Sequence, residues 1–139
     1  MNGCTRRTFN LIVGAAAVEL WACGTSRPTL APNSSNQVTL TYAQFPSLMS
    51  TGGSAVVDVQ GQFPLAVVRT ADATATALSA TCTHAGCIVD YDGAAKALHC
   101  PCHNADFDLQ GNVLRGPTSI PLPVYKATPA ADGIVVDLS

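Results

Sequence analysis

Between Cys82 and His103 the chain reads CTHAGC, a gap, and then CPCH. Cys82, Cys87, Cys100 and Cys102 fall within 21 consecutive residues, and His84 and His103 are interleaved with them. Nothing else in the sequence constrains the fold as strongly, because thiols and imidazoles crowded in this way become cross-linked, bound to metal, or both. Cys82 and His84 are two residues apart, and His103 follows Cys100 by three. Two loops, each offering one thiolate and one imidazole, close on a metal from opposite sides if the chain between them doubles back. A turn expected at Asp92-Gly93 does that. Four ligands from two loops suit tetrahedral zinc or an iron–sulfur cluster. The Cys-x-His half is tighter than the paired-ligand spacing of structural zinc fingers. A two-iron cluster gives each iron its own pair, and two thiolates on one iron with two histidines on the other is known chemistry. His99 adjoins the motif out of frame and reads as a strand residue.

The surrounding pattern is all-β. Val38 to Tyr42 and Ser54 to Gly61 alternate apolar and polar residues, Phe63 to Thr70 returns across Gly61-Gln62, and Thr74 to Thr81 forms a further short strand. Ile88 to Tyr91 pairs with a return strand through Leu98. A second hairpin turns at Gln110-Gly111-Asn112, and VYKAT and GIVVDLS flank Asp132-Gly133. Many short strands at close turn spacing indicate an antiparallel all-β domain, with at most a turn or two of helix between Tyr42 and Met49. Seven basic and nine acidic residues give a formal charge of −2 without a basic patch, which argues against nucleic acid as a partner.

The first 23 residues read as an address. TRRTFNLIVGAAAV places Arg6 and Arg7 before a short apolar run that Glu19 ends, well below the roughly 20 residues a membrane-spanning helix needs. It resembles a twin-arginine (Tat) export signal, which carries folded proteins. LWACG resembles a lipobox, with Cys23 as the lipidation site, which would tether the protein to a membrane without spanning it. Residues 24–37, rich in Pro, Ser, Thr and Asn, read as a flexible linker, and residues 38–139 as the folded domain.

CTHAGC followed by CPCH resembles the Rieske [2Fe-2S] motif in its disulfide-containing form, and DFDLQGNVLRGPTSIPLPVY resembles the segment of that family that packs over the cluster. The resemblance covers nearly the whole domain. It implies a Rieske-type antiparallel β-sandwich with a small cluster-binding subdomain of two loops, and one [2Fe-2S] cluster per chain. It implies Cys82 and Cys100 on the first iron, His84 and His103 on the outer iron, a Cys87–Cys102 disulfide, and a proline loop over Gly116 to Leu122. An exported domain lives in an oxidising compartment, where such a bridge persists.

High-potential members of the family carry Ser and Tyr two and four places after the second ligating histidine, and both donate hydrogen bonds to sulfur. Here those places hold Ala105 and Phe107, which cannot donate. The expected potential is therefore lower than that of hydroxyl-bearing relatives, with Asp106 and Asp108 pushing weakly the same way.

The resemblance implies one-electron transfer in a membrane-linked quinol:acceptor oxidoreductase, without a complete active site on this chain. The alternative is a free-standing exported carrier, or a small subunit of another oxidoreductase such as one resembling arsenite oxidase. An oxygenase-type ferredoxin is a third class, which usually lacks the disulfide pair. The implied partners are a cytochrome c-like or catalytic redox protein, a quinol, and a membrane reached by tether or complex. The implied location is periplasmic or the outer face of the cytoplasmic membrane.

Overall fold

The computed structural model describes residues 26–139. The export signal expected over residues 1–23, with Cys23, lies outside them. Eleven strands follow in chain order: β1 (Thr29–Leu30), β2 (Gln37–Thr41), β3 (Ser54–Val59), β4 (Leu65–Ala71), β5 (Thr74–Ser79), β6 (Asp90–Asp92), β7 (Ala97–Cys100), β8 (Ala105–Phe107), β9 (Val113–Arg115), β10 (Val124–Pro129) and β11 (Gly133–Asp137). The helical stretch expected near Tyr42 to Met49 is one 3₁₀ turn at Pro46–Met49. No helix among the described residues is long and apolar enough to cross a membrane.

The strands form two sheets. A seven-stranded, barrel-like sheet runs β1-β3-β4-β5-β10-β11-β2, and a four-stranded sheet runs β6-β7-β8-β9. The all-β expectation holds, and the small subdomain proves to be a sheet of its own carrying the two loops. The Asp92-Gly93 turn is longer than expected. Asp92 Oδ1 accepts the amides of Ala94 and Ala95, and Lys96, at φ 52°, closes the turn before β7.

The run LAVV at the start of β4 is apolar at every position because both faces of that strand are covered. Leu65 and Val67 face a core built with Leu40, Leu48, Val57, Ile134 and Val136. Ala66 and its neighbour Leu78 on β5 face a second core that contains Val89, Leu98, Phe107, Leu122 and both free cysteines, Cys82 and Cys100. Ala66, 1% exposed, thus belongs to the core that lies between the two sheets. Thr76 adds a polar tie, its hydroxyl donating to the carbonyl of Leu109.

The segment expected as a flexible linker is not wholly free. β1 pairs in parallel with β3 at the sheet edge, with Thr29 opposite Asp58 and Leu30 opposite Val59. The amides of Asp58 and Gln60 donate to the carbonyls of Pro28 and Leu30, Arg27 Nε meets Asp58 Oδ1 at 3.0 Å, and Leu30 packs on the first core. Asn33 then folds the chain into β2 by accepting the amides of Ser35 and Gln37. Composition pointed to a solvated chain, but an unpaired sheet edge offers backbone partners to any nearby extended segment. In hydrogen exchange, the amides of Asp58 and Gln60 should be protected in the full chain. They should lose that protection when residues 1–31 are deleted, while β4 and β5 keep theirs.

Candidate metal centre

The first loop is a compact turn. The Cys82 amide donates to the Cys87 carbonyl at 2.7 Å and the Gly86 amide to the Cys82 carbonyl at 2.9 Å. Gly86 adopts φ 75°, a conformation that a residue with a Cβ reaches only with strain, and an isolated bridge between Thr81 and Ile88 closes the base. The second loop leaves β7 at Cys100, passes Pro101, Cys102 and His103, and re-enters the sheet at β8 through Asn104 at φ 56°. Cross-strand pairing sets Cys100 opposite Ala105 and Leu98 opposite Phe107.

The two loops meet where the six-residue motif predicted. Cys87 and Cys102 are disulfide-bonded, with Cα atoms 6.5 Å apart. Cys82 and Cys100 remain free thiols, about 2% and 1% exposed, in contact with each other. Burial pushes the Cys82 thiol up; the backbone N–H of His84 pulls it down, the neighbouring Cys100 thiol pushes it up again, and the N–H of Ala85 pulls it down. Those two amides are ready-made donors to a thiolate sulfur. His84 and His103, one from each loop, are both exposed, with their rings edge to face and their Nδ1 atoms 3.2 Å apart.

This arrangement fits a metal group. Two nitrogens bound at about 2.1 Å to one tetrahedral ion lie about 3.4 Å apart, close to the observed spacing of 3.2 Å. The buried thiols supply a second donor pair. Cys87, Cys100 and Cys102 place their sulfurs within 4.8 Å of one another, but the disulfide uses two of the three, so that trio is not itself a ligand set.

The proline loop closes one side. Thr83 donates to the Ile120 carbonyl at 2.7 Å and lies 3.2 Å from the Thr118 hydroxyl. Gly116, at φ 136°, rests on Ala105: a Cβ added there would come within 2.6 Å of the Ala105 Cα. Ala105 and Phe107 are fully buried among the second core's residues. Asp106, expected to lower the potential weakly, has its charge offset on the outer face. His99 Nδ1 meets its Oδ1 at 2.6 Å and Arg115 Nε its Oδ2 at 2.9 Å. Asp108 is spent in the turn before β9, where it accepts the amides of Gln110 and Asn112 and the Asn112 side chain. His99 is the strand residue expected, on β7.

Reading the sequence residue by residue missed Thr83, and placed Gly116 only as the start of the proline loop, without its contact with Ala105. Thr83 is one hydroxyl inside a cysteine motif, and nothing local says that its partner lies 37 residues away. Thr83→Val should cost about 1 kcal/mol in urea denaturation by leaving the Ile120 carbonyl without its donor, and Thr83→Ser should restore most of it.

Comparison with known proteins agrees with this geometry. A family model for the Rieske [2Fe-2S] domain matches residues 41–126. The cytochrome b6-f complex iron-sulfur subunit of Chlorobaculum tepidum is 44% identical over 64 residues, which cover 46% of this chain and 35% of that one. The subunit of the same description from Gloeobacter violaceus is 41% identical over 59 residues, 42% of this chain and 32% of that one. The chain thus spans about a third of the length of these curated relatives. Among solved structures, the cyanobacterial plasma membrane Rieske protein PetC3 from Synechocystis PCC 6803 superposes with a TM-score of 0.57 at 32% identity, over 69% of this chain and 93% of that one. The ferredoxin of carbazole 1,9a-dioxygenase from Nocardioides aromaticivorans IC177 gives 0.58 at 25%, over 73% and 95%. The chain belongs to the Rieske [2Fe-2S] domain family, and its cofactor is a [2Fe-2S] cluster.

Proposed function

We propose that this Rieske domain is the electron-transfer subunit of a membrane-linked respiratory quinol:acceptor oxidoreductase, working on the outer face of the cytoplasmic membrane. The observation that carries the reading is that the same two loops bring together a pair of exposed imidazoles, with Nδ1 atoms 3.2 Å apart, and a pair of buried thiols. Cys82 and Cys100 would hold one iron of the cluster, where burial excludes water and the amides of His84 and Ala85 donate to the Cys82 sulfur. His84 and His103 would hold the other, and their exposed rings are the surface through which a partner is met. When bound, the cluster supplies a one-electron couple whose potential histidine ligation raises above that of an all-cysteine site. The names of the b6-f relatives and of the plasma membrane protein support the membrane setting. The export signal read over residues 1–23 supports the outer face.

A second reading, a free-standing exported carrier or a small subunit of another oxidoreductase, is favoured by one observation. The chain matches nearly the full length of two small Rieske proteins, 93% and 95%, against a third of the b6-f subunits. Reduction of the cluster by added quinol in native membranes supports the first reading, and reduction only by a soluble partner the second.

The ligand assignment is tested by replacing Cys82, His84, Cys100 and His103 singly with Ala. Each variant should lose the iron and acid-labile sulfide of the native chain and the EPR signal of its reduced form. A variant that keeps all three removes that residue from the ligand set.

Ala105 and Phe107 tune the potential by what they lack. A net hydrogen bond of about 0.5–1.5 kcal/mol corresponds to roughly 20–60 mV for one electron. Ala105→Ser and Phe107→Tyr should each raise the midpoint by that order in a potentiometric titration. The serine should act less than fully, because the Gly116 backbone crowds that position.

A further inference from the structure

The sulfurs of Cys87, Cys100 and Cys102 lie within 4.8 Å of one another, and Cys87 and Cys102 are bonded. Cys100 is therefore a free thiol held beside a disulfide. Cys82, the other free thiol, touches Cys100 but is not one of this trio.

We propose that the cluster-free chain rearranges its own disulfide, with Cys100 displacing Cys102 from Cys87. The Cys100 thiolate attacks the Cys87 sulfur. The Cys87–Cys100 bond forms, the Cys87–Cys102 bond breaks, and the proton lost by Cys100 ends on Cys102. Two thiols and one disulfide become two thiols and one disulfide, so no oxidant or reductant is needed.

Three features set the direction. Cys102 is exposed, so the thiolate it leaves as is solvated, whereas a Cys100 thiolate, about 1% exposed, sits where water is excluded. A bond between Cys100 and Cys102 would have to close a small ring across Pro101 alone, which leaves Cys87 as the sulfur attacked. The loop closed changes from a separation of 15 residues to one two residues shorter, so its closure entropy is nearly unchanged. The consequence concerns loading. Exchange uses up the buried thiol proposed as an iron ligand and leaves in its place an exposed one. Without the cluster, the Cys87–Cys102 bridge and a free Cys100 coexist only until exchange takes place. Cluster insertion must therefore precede bridge formation, or a reductant must reset the bridge.

The exchange itself rests on the position of three sulfurs. Only its effect on loading rests on the ligand assignment, so the test reads the two separately. The full chain is stripped of iron with a chelator under argon without thiol reagents. Free thiols are labelled with light N-ethylmaleimide, and bridged ones with the heavy form after reduction. Fragment ions on either side of Pro101 distinguish Cys100 from Cys102. Light label should leave Cys100 and appear on Cys102 with a first-order rate that does not change over a tenfold range of protein concentration. The loaded protein and the stripped Cys100→Ser variant should keep Cys102 bridged. Reloading with iron and sulfide should fail in the exchanged sample and recover after mild reduction. Light label remaining on Cys82 and Cys100 overturns the proposal, as does bridging that involves Cys82 as often as Cys100. Exchange with undiminished reloading keeps the rearrangement and removes Cys100 from the ligand set.

Discussion

Everything at the metal-binding end depends on two loops, separated along the chain, arriving at one point. The bond between Cys87 and Cys102 holds them there covalently. The β6–β7 hairpin delivers them, starting just past the first loop and ending at Cys100, where the second begins. The bridge alone would leave the loops free to pivot about it. The Thr83 contact with the proline loop removes part of that freedom, and the β7–β8 pairing, which sets Cys100 opposite Ala105, removes more. Rigidity of this kind matters to an electron-transfer site, because a ligand cage that does not rearrange between redox states adds little to the barrier for each electron.

The division of the interior into two cores gives the cage a foundation. β4 and β5 serve both, so the small sheet is packed against the large one rather than joined to it by loops alone. Cys82 and Cys100 are members of the second core as well as donors. A buried thiol without a partner is tolerable as a small apolar group. The same positions therefore fit an apolar interior in one state and a metal site in another. The imidazoles lie on the opposite, wet side of that boundary.

The spacing of Cys82, His84, Cys87, Cys100, Cys102 and His103 was legible because metal and disulfide chemistry fix residue types at short range. The strands were legible from alternation, except where chemistry other than burial set the edges: Asp92 and Lys96 lengthen a turn beyond Asp92-Gly93. The docking of Thr29–Leu30 was not legible, since two residues carry no period and the edge they join is made by Asp58 and Gln60, far along the chain. The same holds for Gly116, whose need for a missing side chain appears only when Ala105 lies beneath it. The neutralisation of Asp106 required β7, β8 and β9 in register, a property of the assembled sheet.

The parallel pairing of β1 with β3 also gives the domain a mechanical character. Tension applied to the chain ahead of Arg27 runs along the strand axis. It loads the bonds from Asp58 and Gln60 together in shear, with the Arg27–Asp58 ion pair sharing the strain. A strand pulled lengthwise resists more than one peeled from its end, since its hydrogen bonds must fail at once instead of in turn. Under small loads the folded body therefore begins at about Pro28, and it begins later along the chain only after β1 has slipped.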